Sequence, residues 1–415
     1  MSQLLLKSVL LGDSNRDILI ADGIFKTIAP AGTLTADVPD TYVLDCRHMA
    51  IVPAFYNTHT HAAMTFVSGL VDDVPLKVWL EEHIWPREAK LSDEDVYVAS
   101  KFAILEMIRS GTVFFSDMYW HRTQTIRAVE EMGIRASIGI TFADVLKPDN
   151  SENLQFLADN VPKFQDRIRL AVAPHAIYTN SAKSLKLAEE CSEKYQIPLH
   201  VHLAETLGEE KGSIDPTNGK SPVEYLDSLG LLSKRTVAAH VVHVSEKDLD
   251  ILAERGVTVA HNPCSNMKLA SGVFRAKPFI DRGIRLTLGT DGASSNNNLD
   301  MREEMKFASL LAKMTSGDPT ILSAKETLKM ATQNGAETFG FHAGKIEEGW
   351  LADALLLNLN APCFAVGDVI SNWVYAANSS VIDTVICNGN VLMQHRVIPF
   401  ADEIEKEFRD RFGRK

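Results

Sequence analysis

The chain has 415 residues, 45% hydrophobic and 23% charged, with a formal net charge of −12 and a pI of about 5.6. This is a globular composition whose acidic field disfavours nucleic acid and fits a small-molecule ligand better. Five scattered cysteines without a C-x-x-C pair argue against a disulfide framework and a thiolate zinc site, and set the expectation of a reducing cytoplasm.

The N-terminal MSQLLLKSVLLGDSNRD has an apolar run, but Lys7 interrupts it, Asp13 ends it and no small-residue cleavage pattern follows, so it reads as strand rather than signal peptide. No apolar stretch reaches the roughly 18 residues that a membrane helix needs, and no membrane partner is expected. The first 50 or so residues read as short strands and turns: LLLKSVLL, a GDSN turn, DILIADG and FKTIAP.

From Ile51 to Phe341 strand and helix patterns alternate. The strand candidates are IVPAFYNTH, TVFFSDMYW, RASIGITF, IRLAVAPH, IPLHVHLAE, TVAAHVVHV, VTVAHNPCS and IRLTLGTDG. Ser92-x-x-Asp95 opens a helix with Val98, Phe102, Leu105 and Ile108 on one face, and Gly111 closes it. Ser323-x-x-Glu326 is a second capping box, and Ser245 and Gly256 bracket a shorter helix. A TIM barrel of about 250 residues has this length and rhythm. A doubly wound sheet competes, but no glycine-rich phosphate loop follows the first strand. After Phe341 the chain turns β-rich again, and VIDTVICNGNVLMQHRVI reads as a hairpin about Asn388–Gly389. The predicted fold is therefore α/β: a (β/α)₈ barrel over 51–341, with a small composite β-sandwich domain built from 1–50 and from 342–415, which also carries a C-terminal helix.

The strand ends are the informative positions, because the C-terminal face of a barrel carries its active site. Strand one ends His59-Thr-His61, whose side chains share a face. Strand four ends at His175, strand five carries His202 and Glu205, strand six His240 and strand eight Asp291. One histidine at a strand end is ordinarily a packing or hydrogen-bonding residue. Histidines converging from several strands with a carboxylate make a plausible divalent-metal site. His200, one layer deeper than His202, reads as buried and hydrogen-bonded. His243 and His261 stay outside the ligand set, and His48, His83, His342 and His395 read as surface or packing residues.

PAFYNTHTHAAM (53–64), HLAET (202–206), Ala239-His240, HNPCSN (261–266), LGTDGASSNN (288–297) and GKIEEGWLADALLL (344–357) together resemble the amidohydrolase superfamily. The nearest branch looks like the methylthioadenosine/S-adenosylhomocysteine deaminases, close to guanine deaminases and triazine chlorohydrolases. The resemblance implies metal ligation by His59, His61, His202 and Asp291, an acid/base role for Glu205 and contact of His240 with solvent at the metal. It implies that His175 contacts substrate, that Glu88 in WPREAKL holds ribose hydroxyls, and that Trp79 belongs to the same pocket segment. His121, after strand two, is a candidate for the substrate entrance. The catalytic set is thus Glu205, His240 and Asp291.

Binuclear relatives usually bridge their two metals with a carboxylated lysine at the end of strand four. This chain reads LAVAPHAIYTN there, with no lysine before Lys183, so one divalent ion per subunit is expected: Zn²⁺ foremost, with Fe²⁺, Mn²⁺ and Ni²⁺ open. The P-C-x-x-C signature of other nucleobase deaminases is absent. Members that accept S-adenosylhomocysteine tend to carry arginine after strand three; here Ile140 falls near that place, which leaves Lys147 or a neighbouring subunit to supply the cation.

The implied activity is hydrolytic deamination of an aminopurine, foremost an adenine nucleoside of the methylthioadenosine, adenosine or S-adenosylhomocysteine type. Guanine, a pterin or an s-triazine is the alternative substrate class, and a catalytically silent scaffold the alternative of another kind. A homo-oligomer, dimer or tetramer, is also implied. The loop 206–222 is Gly/Pro-rich and is expected to overhang the site.

Overall fold

The computed structural model describes residues 3–74, 78–209 and 217–413. The N-terminal strands are β1 (Gln3–Leu11), β2 (Ser14–Ala21), β3 (Ile24–Pro30), β4 (Thr41–Asp45) and β5 (Met49–Pro53). Next come β6 (Phe55–Thr60), β7 (Thr112–Met118), β8 (Arg135–Phe142), β9 (Ile168–Pro174), β10 (Leu199–Leu203), β11 (Thr236–His240), β12 (Thr258–His261) and β13 (Arg285–Leu288). The chain ends with β14 (Ala354–Asn358), β15 (Ile382–Cys387), β16 (Asn390–Met393) and a helix, Ala401–Phe412.

Strands β6 to β13 pair in sequence order as an eight-stranded parallel sheet with helices between them, the expected barrel. β7 and β8 are buried along their whole length, as parallel strands covered on both faces must be. The last strand meets the first through Thr58 Oγ1, which donates to Leu288 O at 2.9 Å, and through Asp291 N–H, which donates to His59 O at 2.9 Å. Gly289 permits that approach: a Cβ there would lie 2.5 Å from Asn262 Oδ1 and 2.8 Å from His59 Cβ.

The helix signals appear as read. Asp93–Arg109 carries the Ser92/Asp95 capping box, Ala324–Ala331 the Ser323/Glu326 box, and Glu246–Arg255 runs from Ser245 to Gly256 in the left-handed conformation. Each box satisfies N–H groups that a helix start leaves without partners.

The terminal strands form one mixed sheet, ordered β16-β15-β14-β5-β1-β2-β3, that branches at β1, where β4 also pairs. Leu4, Leu6, Ile18, Phe25, Leu356 and Ile386 pack in a core of their own. The hairpin between β15 and β16 turns on Asn388 and Gly389, both with positive φ (52° and 73°), as a two-residue type I′ turn requires. One boundary differs from the sequence expectation. Ile51 and Val52 do not open the barrel; β5 pairs antiparallel with β14, and the chain changes sheets after Pro53. IVPAFYNTH is one apolar run, and periodicity cannot show that it serves two sheets.

A buried polar group joins the two sheets. Arg135 of β8 and Tyr56 of β6 both donate to Asp353 Oδ2, at 2.9 and 2.5 Å. Asn388 N–H donates to Asp353 Oδ1 at 2.6 Å, and Arg135 Nη2 reaches Asn388 Oδ1 at 2.8 Å.

Candidate active site

The strands deliver their polar residues to one end of the barrel. His59 is the penultimate residue of β6 and His61 follows it, His202 lies in β10, His240 ends β11, and Asp291 lies just beyond β13. Non-glycine residues in the left-handed region cluster on this rim: Ala204, His240, Val241 and Asp291, with φ of 50°, 72°, 50° and 61°. Such strain persists only where surrounding contacts hold it, and it is common at functional sites.

The imidazoles are fixed from behind. His61 Nδ1 donates to Met118 O at 2.6 Å and His202 Nδ1 to His175 O at 2.7 Å. A carbonyl can only accept, so in the neutral tautomer each ring turns an Nε2 lone pair inward. His240 Nδ1 faces Asn266 Oδ1 at 2.8 Å, and His59 Nδ1 faces His200 Nε2 at 2.9 Å, with Ser116 Oγ 3.1 Å from the far side of His200. His200 is thus a buried support for His59, and His243 turns away to Ser271 O at 2.5 Å. His261 stacks on Phe274 with ring centroids 4.1 Å apart.

The inward atoms converge. His202 Nε2 lies 3.3 Å from His61 Nε2. Asp291 Oδ1 lies 3.4 Å from His59 Nε2 and 3.2 Å from His61 Nε2. His59 Nε2 is buried without a hydrogen-bond partner. Ligand-capable atoms of His59, His202 and His240, and of His59, His61 and Asp291, each lie within 4.8 Å of one another. Acceptors facing acceptors in a buried space are stable only around positive charge. Burial brings His59 down to about 4 and His175 to about 3. At His61 burial is outweighed by the hydrogen bond and charge of Asp291, which push it up to about 9. Against burial, His59 and His61 hold Asp291 well below the usual carboxylate range. This donor set fits one divalent cation, and the backing acceptors are what ligating histidines need.

Glu205 and His240 complete this end of the site. Ser271 Oγ donates to Glu205 Oε1 at 3.1 Å, leaving Oε2 3.9 Å from His240 Nε2. His240 Nε2 is also 3.9 Å from Asp291 Oδ2.

A cleft opens over these groups. It is lined by His61, His202, His240, Asp291 and Glu205, and also by His175, Trp79 and Glu88. His59 is fully buried beneath them. Trp79–Ile84 forms a π-helical turn that runs into the short helix Trp85–Glu88 and brings Glu88 to the cleft. Burial raises the Glu88 carboxyl, with Tyr119 and His61 opposing. His121 is not brought in: its Nδ1 lies 2.6 Å from Asp93 Oδ1, before the helix Arg122–Met132, and it does not line the cleft. Trp85, Tyr119, Trp120, Leu146, Tyr178 and Leu269 line the cleft and were not singled out by sequence. Tyr119 and Trp120 directly follow β7, so position after a barrel strand was the signal available for them. Of the loop 206–222, residues 210–216 lie outside the described residues.

A parallel barrel with a histidine–carboxylate cluster at its C-terminal mouth defines a metal-dependent hydrolase of the TIM-barrel type. The model of the Amidohydrolase family matches residues 50–392, and the chain belongs to that family. It is 46% identical over 373 residues to a 5-methylthioadenosine/S-adenosylhomocysteine deaminase of Archaeoglobus fulgidus, covering 88% of this chain and 87% of that one. It is 42% identical to a 5'-deoxyadenosine deaminase of Methanothermobacter thermautotrophicus, covering 93% and 91%. Among solved structures, an adenosine deaminase from Xanthomonas campestris with bound zinc superposes with a TM-score of 0.89 at 31% identity, covering 99% of this chain and 98% of that one.

Proposed function

We propose that this protein is a hydrolytic deaminase of adenine nucleosides that works with one divalent metal ion, foremost Zn²⁺. The observation that carries the reading is a single cleft lined both by His61, His202, Asp291, Glu205 and His240 and by Glu88. The first group suits hydrolysis of a ring C–N bond. Glu88 is a carboxylate placed to accept from vicinal hydroxyls, which a free base lacks.

In this reading His59, His61, His202 and Asp291 hold the metal. A divalent cation supplies Lewis acidity that brings the pKa of water towards about 7. Asp291, acceptor-only when ionised, takes a proton from the attacking water. His240 orients that water through Nε2. Glu205 protonates the ring nitrogen next to the amino-bearing carbon, then takes the proton of the new hydroxyl and passes it to the departing amine, while the proton held by Asp291 restores Glu205. The balance is one water consumed, the carbon–nitrogen bond broken, and the 6-oxo purine and ammonia released.

The far end of the substrate is read from the apolar lining of the cleft. Leu80, Ile84, Trp85, Trp120, Leu146 and Leu269 line it, and no lysine or arginine does so among the described residues. Ile140 is buried in β8, and Lys147 pairs with Glu152 at 3.2 Å. This supports methylthioadenosine, 5'-deoxyadenosine or adenosine over S-adenosylhomocysteine, whose charged tail meets no basic side chain among the described residues that line the cleft. The five cysteines are free, consistent with a reducing compartment such as the cytoplasm. Phe307, Leu310 and Met314, exposed on the helix Met301–Ser316, are consistent with a homo-oligomer.

The test is ammonia release by metal-replete protein from these nucleosides, S-adenosylhomocysteine, guanine, a pterin and an s-triazine, before and after chelation. Expected are turnover of uncharged 5'-substituted adenosines, loss on chelation and recovery with Zn²⁺. Turnover of a free base or triazine without turnover of any nucleoside would overturn the assignment.

A further inference from the structure

The Asp291 carboxylate is held from two loops. Ser265 Oγ donates to Oδ2 at 2.6 Å and Ser295 Oγ to the same atom at 3.1 Å. Ser265 lies in the turn of helix Pro263–Lys268 after β12, and Ser295 in Ala293–Asn296 after β13. Behind both sits Glu304, fully buried on the helix Met301–Ser316. Glu304 Oε2 accepts from Cys264 N–H at 3.1 Å, and Oε1 accepts from Asn296 Nδ2 at 2.6 Å. The same Nδ2 donates to Thr290 O at 2.8 Å. One carboxyl group therefore ties together the residue before Ser265, the residue after Ser295 and, through Asn296, the residue before Asp291.

We propose that Glu304 is a positioning residue, which cross-braces the two loops so that Ser265 and Ser295 hold Asp291 in register with the histidines. Asp291 needs such support. It is a non-glycine residue at φ 61°, and its Oδ1 must stay between His59 and His61 while Oδ2 faces His240. Burying a carboxyl is costly without hydrogen bonds, and here Cys264 N–H and Asn296 Nδ2 supply one to each oxygen. A group retained at that cost on an otherwise packed helix face acts through its two acceptor atoms. Glutamine fills the same volume but presents a donor to one of two donors, so it releases one loop in either orientation.

The inference rests on the metal reading above, and its test reads metal affinity without substrate. Full-length Glu304→Gln is compared with wild type for Zn²⁺ affinity by chelator competition, then for kcat and KM. Expected are affinity weaker by about 10–100-fold, as for other supports of a metal ligand, and kcat lower by at least about tenfold with KM within about twofold. In a Ser265→Ala/Ser295→Ala background, Glu304→Gln should add no further loss, because its route to Asp291 is already cut. Unchanged affinity and kcat, or the same loss repeated in that background, would overturn the role. If Glu304→Gln fails to fold, Asn296→Ala carries the same expectation, and unchanged affinity there overturns it equally. Wild-type protein that binds no divalent metal would sink the proposed function itself; metal binding that Glu304→Gln leaves intact sinks only this inference.

Discussion

At the scale of single residues, the site is a set of acceptors aimed at one point and a separate carboxylate beside it. Glu205 stands out because its two oxygens have different surroundings: Oε1 is tied by Ser271, and Oε2 faces His240 and the cleft. Glu205→Gln keeps the volume and the ability to accept from Ser271 but removes the exchangeable proton. Its kcat should fall by about 10²–10⁴-fold, while bound metal, measured by elemental analysis, stays at the wild-type level. Loss of metal in that variant would show that Glu205 supports the cation rather than moving protons.

At the scale of elements, the contact between β8, β6 and the β15–β16 hairpin depends on Asp353. Arg135 is 1% exposed and Asp353 0% exposed, so neither charge has water to turn to. Truncating one partner strands the other: Asp353→Ala should destabilise the protein by about 3–5 kcal/mol, read from denaturant unfolding. Asp353→Asn should cost less, because an amide can still accept from Arg135 and Tyr56. Equal losses for the two variants would mean that charge neutralisation, not hydrogen bonding, holds the sheets together. The capping boxes act more locally, each fixing where a helix starts and so the length of the loop that precedes it.

At the scale of the whole molecule, the last helix reaches back to the cleft. Phe408 stacks on Phe102 with centroids 4.0 Å apart, and Phe412 lies 5.7 Å from Phe66 in the turn that follows His61. Arg411 pairs with Asp95, and Arg109 with Glu405 at 2.6 Å. Both phenylalanines pack against a cluster containing Met64, Trp79 and Tyr119, three residues that line the cleft. Deleting 401–415 should therefore loosen the wall of the cleft more than its histidine-lined floor. KM for the nucleoside should rise by about tenfold or more, with kcat changed less, in a steady-state assay. A fall in kcat at constant KM would place the helix's influence on the chemistry instead.

Much of this molecule was legible in its sequence because the signals are local. Alternation of apolar strands with capped helices is written within windows of a dozen residues, and Ser92, Ser323 and Asn388–Gly389 mark their own turns. Strand-end histidines could be found because a parallel barrel gathers all its strand ends on one face. The sequence could not show that Ile51 and Val52 serve the terminal sheet, since a continuous apolar run carries no record of its partner. It drew attention to His121, which the fold commits to Asp93, and passed over Tyr119, Tyr178 and Glu304, whose surroundings come from distant strands and helices. What the sequence by itself determined was the barrel, the rim and the chemical types gathered there. Which nitrogen of each histidine faces inward, which serines hold Asp291 and which side chains wall the cleft were decided only by tertiary structure, because, Ser295 apart, they depend on hydrogen bonds and packing between residues tens to hundreds of positions apart.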